Sequence, residues 1–156
     1  MTTAQEKKHL FYLDISRTIS THAKCLRGNF GAVVVKDDII IGTGFNGPAR
    51  GVSHCISCLR EKAESGVGYG NCLAVHAEIN AIINAGGRRE CVGATLYLDS
   101  YNRTLEDDYR NKFKTLACPS CVRTMINAGI EWLVYRIGNE PAVKHLPTMT
   151  KAGAIQ

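Results

Sequence analysis

The sequence predicts an α/β protein in which a mixed sheet is covered by helices on its faces. Three observations predict it: a helical repeat near the N-terminus, two adjacent β-branched runs joined by a polar turn, and a second half in which strand-like and helix-like stretches alternate. Alternation implies parallel strands joined by crossovers, whereas two runs separated by a short turn imply an antiparallel hairpin. Both kinds of pairing must therefore share one sheet.

The elements follow in order. Phe11, Ile15, Ile19 and Ala23 recur every fourth residue, marking an amphipathic helix of about five turns that Gly28 and Asn29 break. Residues 30–35 and 39–44 are apolar and β-branched, with Lys36, Asp37 and Asp38 as the turn between them. Asn46, Gly47, Pro48 and Gly51 open a loop that carries His54, Cys55 and Cys58, and the Gly-rich stretch 66–70 keeps the chain irregular up to Asn71. Residues 73–85 are helical in pattern, with Gly86 and Gly87 as the stop. Residues 94–98 read as a buried third strand, and 99–116 as a polar, charged insertion with a short helix at 105–113. Pro119 sits where a helix starts, 122–128 continue it to Gly129, and 130–137 make a fourth strand. The tail 138–156, with Pro141 and Pro147, reads either as an oligomer contact or as partly disordered chain. One domain over 1–156 is expected, with its core at about 8–137.

Composition excludes several classes. Of 156 residues 45% are hydrophobic, enough for a sizeable core, yet no apolar run approaches the roughly 20 residues that span a bilayer. The polar start at Met1 to Lys8 does not resemble a signal peptide. A soluble, cytoplasmic protein is the expectation. The formal charge of +5 suits anionic substrates such as nucleotides, but the basic residues are scattered, with no basic stripe interleaved with aromatics of the kind that binds nucleic acid. The seven cysteines are more telling. In a reducing compartment, the pairs Cys55/Cys58 and Cys118/Cys121 favour metal over disulfides.

His76-Ala77-Glu78 falls at one helix start and Cys118-x-x-Cys121 at another. Residues three apart share a helix face, so both thiolates can meet one ion. One imidazole and two thiolates leave a tetrahedral Zn²⁺ with a fourth position for water, which separates a catalytic site from a closed structural one. The unpaired N–H groups of the helix starts favour thiolate over thiol. A zinc ion lowers the pKa of its water to about 7. Glu78, two residues from His76, is placed to shuttle protons rather than to bind the ion. Taken singly, His76 reads equally as a core histidine, Glu78 as a solvated first-turn carboxylate, and the cysteine pair as half a structural zinc knuckle. Their coincidence on two helix starts favours the catalytic reading.

His76-Ala77-Glu78 with Cys118-x-x-Cys121 resembles the zinc cytidine deaminase superfamily, whose signature is H-x-E…P-C-x-x-C. The run Gly31-Ala32-Val33-Val34-Val35, the stretch from Gly44 through Asn46, Gly47, Pro48 and Arg50 to Gly51, His54-Cys55 and the sequence His76 to Ile82 are similar to its deoxycytidylate (dCMP) deaminase branch. The resemblance implies a three-layer α/β/α fold and hydrolysis of dCMP to dUMP and ammonia by a zinc-bound hydroxide, with Glu78 as proton shuttle. It also implies a homo-oligomer, often a hexamer, activated by dCTP and inhibited by dTTP. It places Asn46 on the sugar, Ala77 among the substrate contacts, and Gly47 near the effector. Deaminases of a nucleoside, guanine or an RNA base, and a non-catalytic zinc module, are the alternatives.

Two departures stand out. Ala117 occupies the position where the family usually has proline, and the 99–116 insertion separates the third strand from the cysteine pair. Within the insertion Tyr101, Arg103, Tyr109 and Arg110 read either as a lid that stacks on the base or holds a phosphate, or as ordinary surface. A second zinc is expected on Cys25, Cys55, Cys58 and Cys72, with His54 as an alternate ligand, since four thiolates close a structural site. Buried free thiols are the alternative reading. Cys91 reads as a small core residue.

Overall fold

Thr2 opens the first helix with a reciprocal cap. Its hydroxyl accepts from the Gln5 amide and the Gln5 side chain accepts from the Thr2 amide at 2.9 Å, satisfying donors that a helix start leaves free. The structure is a computed structural model that describes residues 1–63, 68–102 and 117–146. Helix α1 runs from Thr3 to Ser20 and buries Tyr12, Leu13, Ser16 and Ser20, with Ile15 and Ile19 half-buried beside them. Phe11, counted in the expected apolar stripe, is exposed. The buried face is rotated because α1 lies almost in backbone contact with Gly31, where an added Cβ would stand 2.1 Å from the Ser16 carbonyl oxygen. Only small side chains fit that contact, and the Ser16 hydroxyl bonds back to the Tyr12 carbonyl at 3.0 Å.

Strands β1 (Phe30–Lys36) and β2 (Ile39–Phe45) form the expected hairpin. Asp37 and Asp38 both take positive φ, 51° and 63°, the conformation a two-residue connection needs to follow the strand twist. Next come β3 (Gly47–Pro48), β4 (Ala74–Val75) and α2 (Ala77–Asn84). The helix expected from 73 thus starts later. Ala74 and Val75 pair instead with Pro48 and Gly47, and this ladder takes their backbone groups out of the helix. After α2 come a one-turn helix α3 (Arg88–Cys91), β5 (Thr95–Ser100), α4 (Pro119–Ala128), β6 (Trp132–Ile137) and β7 (Glu140–His145).

The five-stranded sheet has the order β2-β1-β5-β6-β7. The β5–β6 pair is parallel and the others are antiparallel, so the sheet is mixed as expected. Strand β7 lies in the tail for which the sequence predicts an oligomer contact or partly disordered chain. Its charged and proline residues hide the strand, but an edge strand tolerates proline. Pro141 sits opposite Arg136, one pair beyond the closing pair Ile137–Glu140, so its nitrogen, which carries no hydrogen, faces outward.

Side chains alternate along β1 and divide the core in two. Val33 and Val35 pack with Tyr12, Leu13, Tyr97 and Val134 under α1. Ala32 and Val34 pack with Ala81, Ile82, Leu96, Leu98, Met125 and Tyr135 under α2 and α4. The result is a three-layer α/β/α arrangement. Gly42 and Gly44 let α2 close onto β2; a Cβ on Gly44 would stand 2.4 Å from the Ala81 amide nitrogen. On the α1 side, the buried carboxylate of Asp99 accepts from Arg136 at 2.8 Å, and Arg136 also reaches Asp14 at 2.5 Å. The expected helix at 105–113, with Arg103, Tyr109 and Arg110, lies outside the described residues, as does Pro147.

Candidate metal centre

The β3–β4 ladder delivers the chain to His76, which is the N-cap of α2. Cys118 is the N-cap of α4; its sulfur accepts from the Cys121 amide at 3.4 Å, and Pro119 fills the first turn where no N–H is needed. Because α2 and α4 pack side by side on one face of the sheet, their first turns meet. The Nδ1 of His76 lies 3.5 Å from the sulfur of Cys118 and 3.2 Å from that of Cys121. The ligand atoms of all three residues fall within 4.8 Å of one another, which no other group of three His, Cys, Asp or Glu achieves among the described residues.

These residues fit zinc. Tetrahedral bonds of about 2.0 Å to imidazole and 2.3 Å to thiolate give an N···S edge of roughly 3.5 Å, close to the separations of 3.5 and 3.2 Å found here. A hydrogen bond from Cys121, followed by those from His76 and the Cys121 amide, holds Cys118 down to about 4. Cys121 is pushed up by the same contact and by burial. The hydrogen bond to Cys118 raises His76. Three donors leave a fourth position open, as a catalytic zinc requires.

Glu78 is buried in the first turn of α2, within hydrogen-bonding range of Cys121 but outside the ligand set. Burial pushes its carboxyl up, and the neighbouring His76 offsets part of that rise. A carboxyl whose pKa is raised beside an open coordination position can both take and give a proton.

Other expected site residues fare variously. Asn46 is buried, with Oδ1 accepting from the Phe30 amide and Nδ2 donating to the Gly28 carbonyl, both at 2.8 Å. These bonds hold the entry to β1. Ala77 is fully buried, with its carbonyl oxygen packed against Gly44 of β2. Gly47 pairs with Val75. The Tyr101 amide donates to the Ser20 hydroxyl at 3.0 Å, and the residue is exposed. Cys25, Cys55, Cys58, Cys72 and His54 all line one pocket of about 460 Å³, but they do not approach one another closely enough to form a ligand group. Cys91 is buried in the core, as expected.

Motif reading passes over two residues that border the centre. The Tyr69 ring meets the His76 imidazole edge-on, with centroids 5.1 Å apart and planes at 70°. The Arg60 guanidinium lies over Tyr69, 3.9 Å from its centroid. A lone Tyr in a Gly-rich stretch and an Arg two residues after a cysteine carry no pattern that a sequence could reveal.

The fold and centre together define a zinc-dependent hydrolase. Residues 6–137 match the family model described as the cytidine and deoxycytidylate deaminase zinc-binding region. The chain belongs to this family and is a zinc-dependent deaminase. It is 36% identical over 132 residues to the deoxycytidylate deaminase of Mycobacterium phage D29, covering 80% of this chain and 91% of that one. It is 28% identical to the deoxycytidylate deaminase of Saccharomyces cerevisiae over 80% of this chain, but spans only 36% of that longer protein. Among solved structures, the dCMP deaminase of cyanophage S-TIM5, crystallised with dCMP and dUMP, shares the fold at a TM-score of 0.60 and 24% identity, covering 88% of this chain and 84% of that one.

Proposed function

We propose that this chain hydrolyses dCMP to dUMP and ammonia, with Glu78 as the proton shuttle. The observation that carries the reading is the burial of Glu78 beside a His/Cys/Cys cluster that supplies three ligands among the described residues. The deoxycytidylate deaminases among the relatives support dCMP as the substrate.

Zinc held by His76, Cys118 and Cys121 would supply the Lewis acidity that makes water nucleophilic near neutral pH. The residues of the chain do the rest. Glu78 accepts a proton as the water oxygen bonds to the ring carbon, and gives it to the adjacent ring nitrogen. It then takes the second proton from the new hydroxyl and passes it to the amino group. The carbon–nitrogen bond breaks, ammonia leaves, a carbonyl remains, and Glu78 is again a carboxylate. Asn46 would hold the sugar. A screen of ammonia release over dCMP, CMP, deoxycytidine, cytidine and guanine tests this. Activity confined to dCMP is expected, and a nucleoside or guanine preference would overturn the substrate.

The same reading extends to a second zinc on Cys25, Cys55, Cys58 and Cys72, with His54 as alternate ligand. The shared pocket, which all five residues line, supports it. Metal analysis should give two zinc ions per chain, and one per chain after Cys72→Ser. Assembly as a cytoplasmic hexamer, activated by dCTP and inhibited by dTTP around Gly47, follows from the family resemblance. Sedimentation with each nucleotide, and kinetics in its presence, check both.

A further inference from the structure

Arg60 is a buried cation, and its surroundings lead step by step to the metal centre. Arg27, just beyond α1, donates to the carbonyl oxygens of Arg60 and Ala63 and so clamps the turn that carries Arg60. The Arg60 side chain crosses beside Gly68, whose φ of +73° starts the 3₁₀ turn Tyr69–Asn71. The guanidinium then covers one face of the Tyr69 ring, and the edge-on contact between the Tyr69 and His76 rings completes the path. A cation over a ring face is held by the ring quadrupole, most strongly when both are out of water. Tyr69 is thereby held by Arg60 while its ring contacts His76.

An imidazole bound through one nitrogen can still swing about its Cβ–Cγ bond. Metal-binding histidines are usually stopped by a hydrogen bond from the second nitrogen to a neighbouring acceptor. Here the Tyr69 ring packs edge-on against the imidazole whose Nδ1 faces the two sulfurs. Rotation of the imidazole would carry Nδ1 away from the sulfurs and drive the ring against that aromatic neighbour.

We propose that Tyr69 and Arg60 are positioning residues for the metal ligand His76: the guanidinium-backed ring sets the plane of the imidazole and so sets the affinity of the centre for its ion. The inference rests on the zinc-centre reading, not on dCMP as substrate. A protein that binds zinc through His76 yet ignores dCMP would sink the substrate and leave this inference standing.

The test measures zinc affinity against a chromophoric chelator, with the catalytic site identified as the zinc lost in His76→Ala, and the visible bands of the cobalt-substituted protein. Tyr69→Leu should weaken that site by about 10- to 100-fold, the range usual for outer partners of metal ligands, and shift the cobalt bands. Tyr69→Phe keeps the ring and should restore affinity to within about threefold of wild type. A merely structural role would lower the melting temperature of the metal-free protein without moving the cobalt spectrum. If Tyr69→Leu does not fold, Arg60→Gln carries the test, with an expected weakening of about tenfold. Wild-type affinity with unmoved cobalt bands in either folded variant overturns the proposal.

Discussion

The Nδ1 of His76 and the sulfur of Cys121 stand 3.2 Å apart although 45 residues separate them in the chain. Neither residue is drawn there by the other. Each occupies the start of its own helix, and the helices are brought together by the apolar layer beneath them, where Ala81 and Ile82 meet Met125 and Val122. The centre is therefore a by-product of well-packed core, and disturbing that packing disturbs the chemistry.

Glu78→Gln should retain zinc at the His76 site and lose about 10³-fold or more in turnover, since the amide can neither accept nor return the proton. Metal content and ammonia release measured on one preparation check this; near-normal turnover would exclude the shuttle.

Chelation should abolish activity and added zinc should restore it. Cys121→Ala should leave the centre unable to hold zinc, because two remaining donors cannot complete the site. Activity that survives exhaustive chelation contradicts the metal reading.

Gly44→Ala probes how closely α2 must approach the sheet. The added methyl would lie 2.4 Å from the Ala81 nitrogen and 2.5 Å from the Ala77 oxygen, so the helix must move. We expect destabilisation of about 1–3 kcal/mol and a larger proportional loss of turnover, because His76 and Glu78 ride on the displaced turn. Calorimetry and initial rates together separate the two effects.

Asp99→Asn leaves Arg136 largely buried with a weakened partner; the two side chains are 5% and 12% exposed. A cost of about 3 kcal/mol is expected for breaking a buried pair, or about 6–12 °C in melting temperature for a chain of this size. An unchanged melting temperature would mean that the Asp14 contact alone satisfies Arg136.

Burial, with Lys8 adding, lowers His9 from its ordinary 6.5, and its Nδ1 lies 3.0 Å from the Tyr97 hydroxyl. Below 6.5 the unfolded chain binds more protons at this site than the folded one, so the stability it contributes is present above 6.5 and is lost as pH falls through the lower folded value. His9→Gln should flatten the slope of melting temperature against pH below 6.5. An unaltered slope would assign it to other groups.

The sequence disclosed the ligands more readily than their surroundings. His76, Glu78, Cys118 and Cys121 were legible because metal chemistry restricts both residue type and spacing, and the helix starts that carry them show in the positions of Pro119 and the Gly86–Gly87 stop. The hairpin was legible from β-branched runs and a polar turn. Strand β7 was not, since an edge strand needs little apolar content, nor was the β3–β4 ladder, because two residues make no period. The α1 stripe misled by one position: serines that fit against Gly31 matter more there than the apolar Phe11. Arg60 and Tyr69 were invisible for a related reason, since their partners are set by the path of a loop rather than by spacing.

Pro141 has a consequence for how these molecules can meet. With its nitrogen turned outward on the last strand, it leaves a gap in the row of donors that a foreign strand would need. An incoming chain laid along that margin would leave one of its carbonyl groups unanswered, so the sheet ends at its own border, guarded against accretion into fibrils by one missing hydrogen.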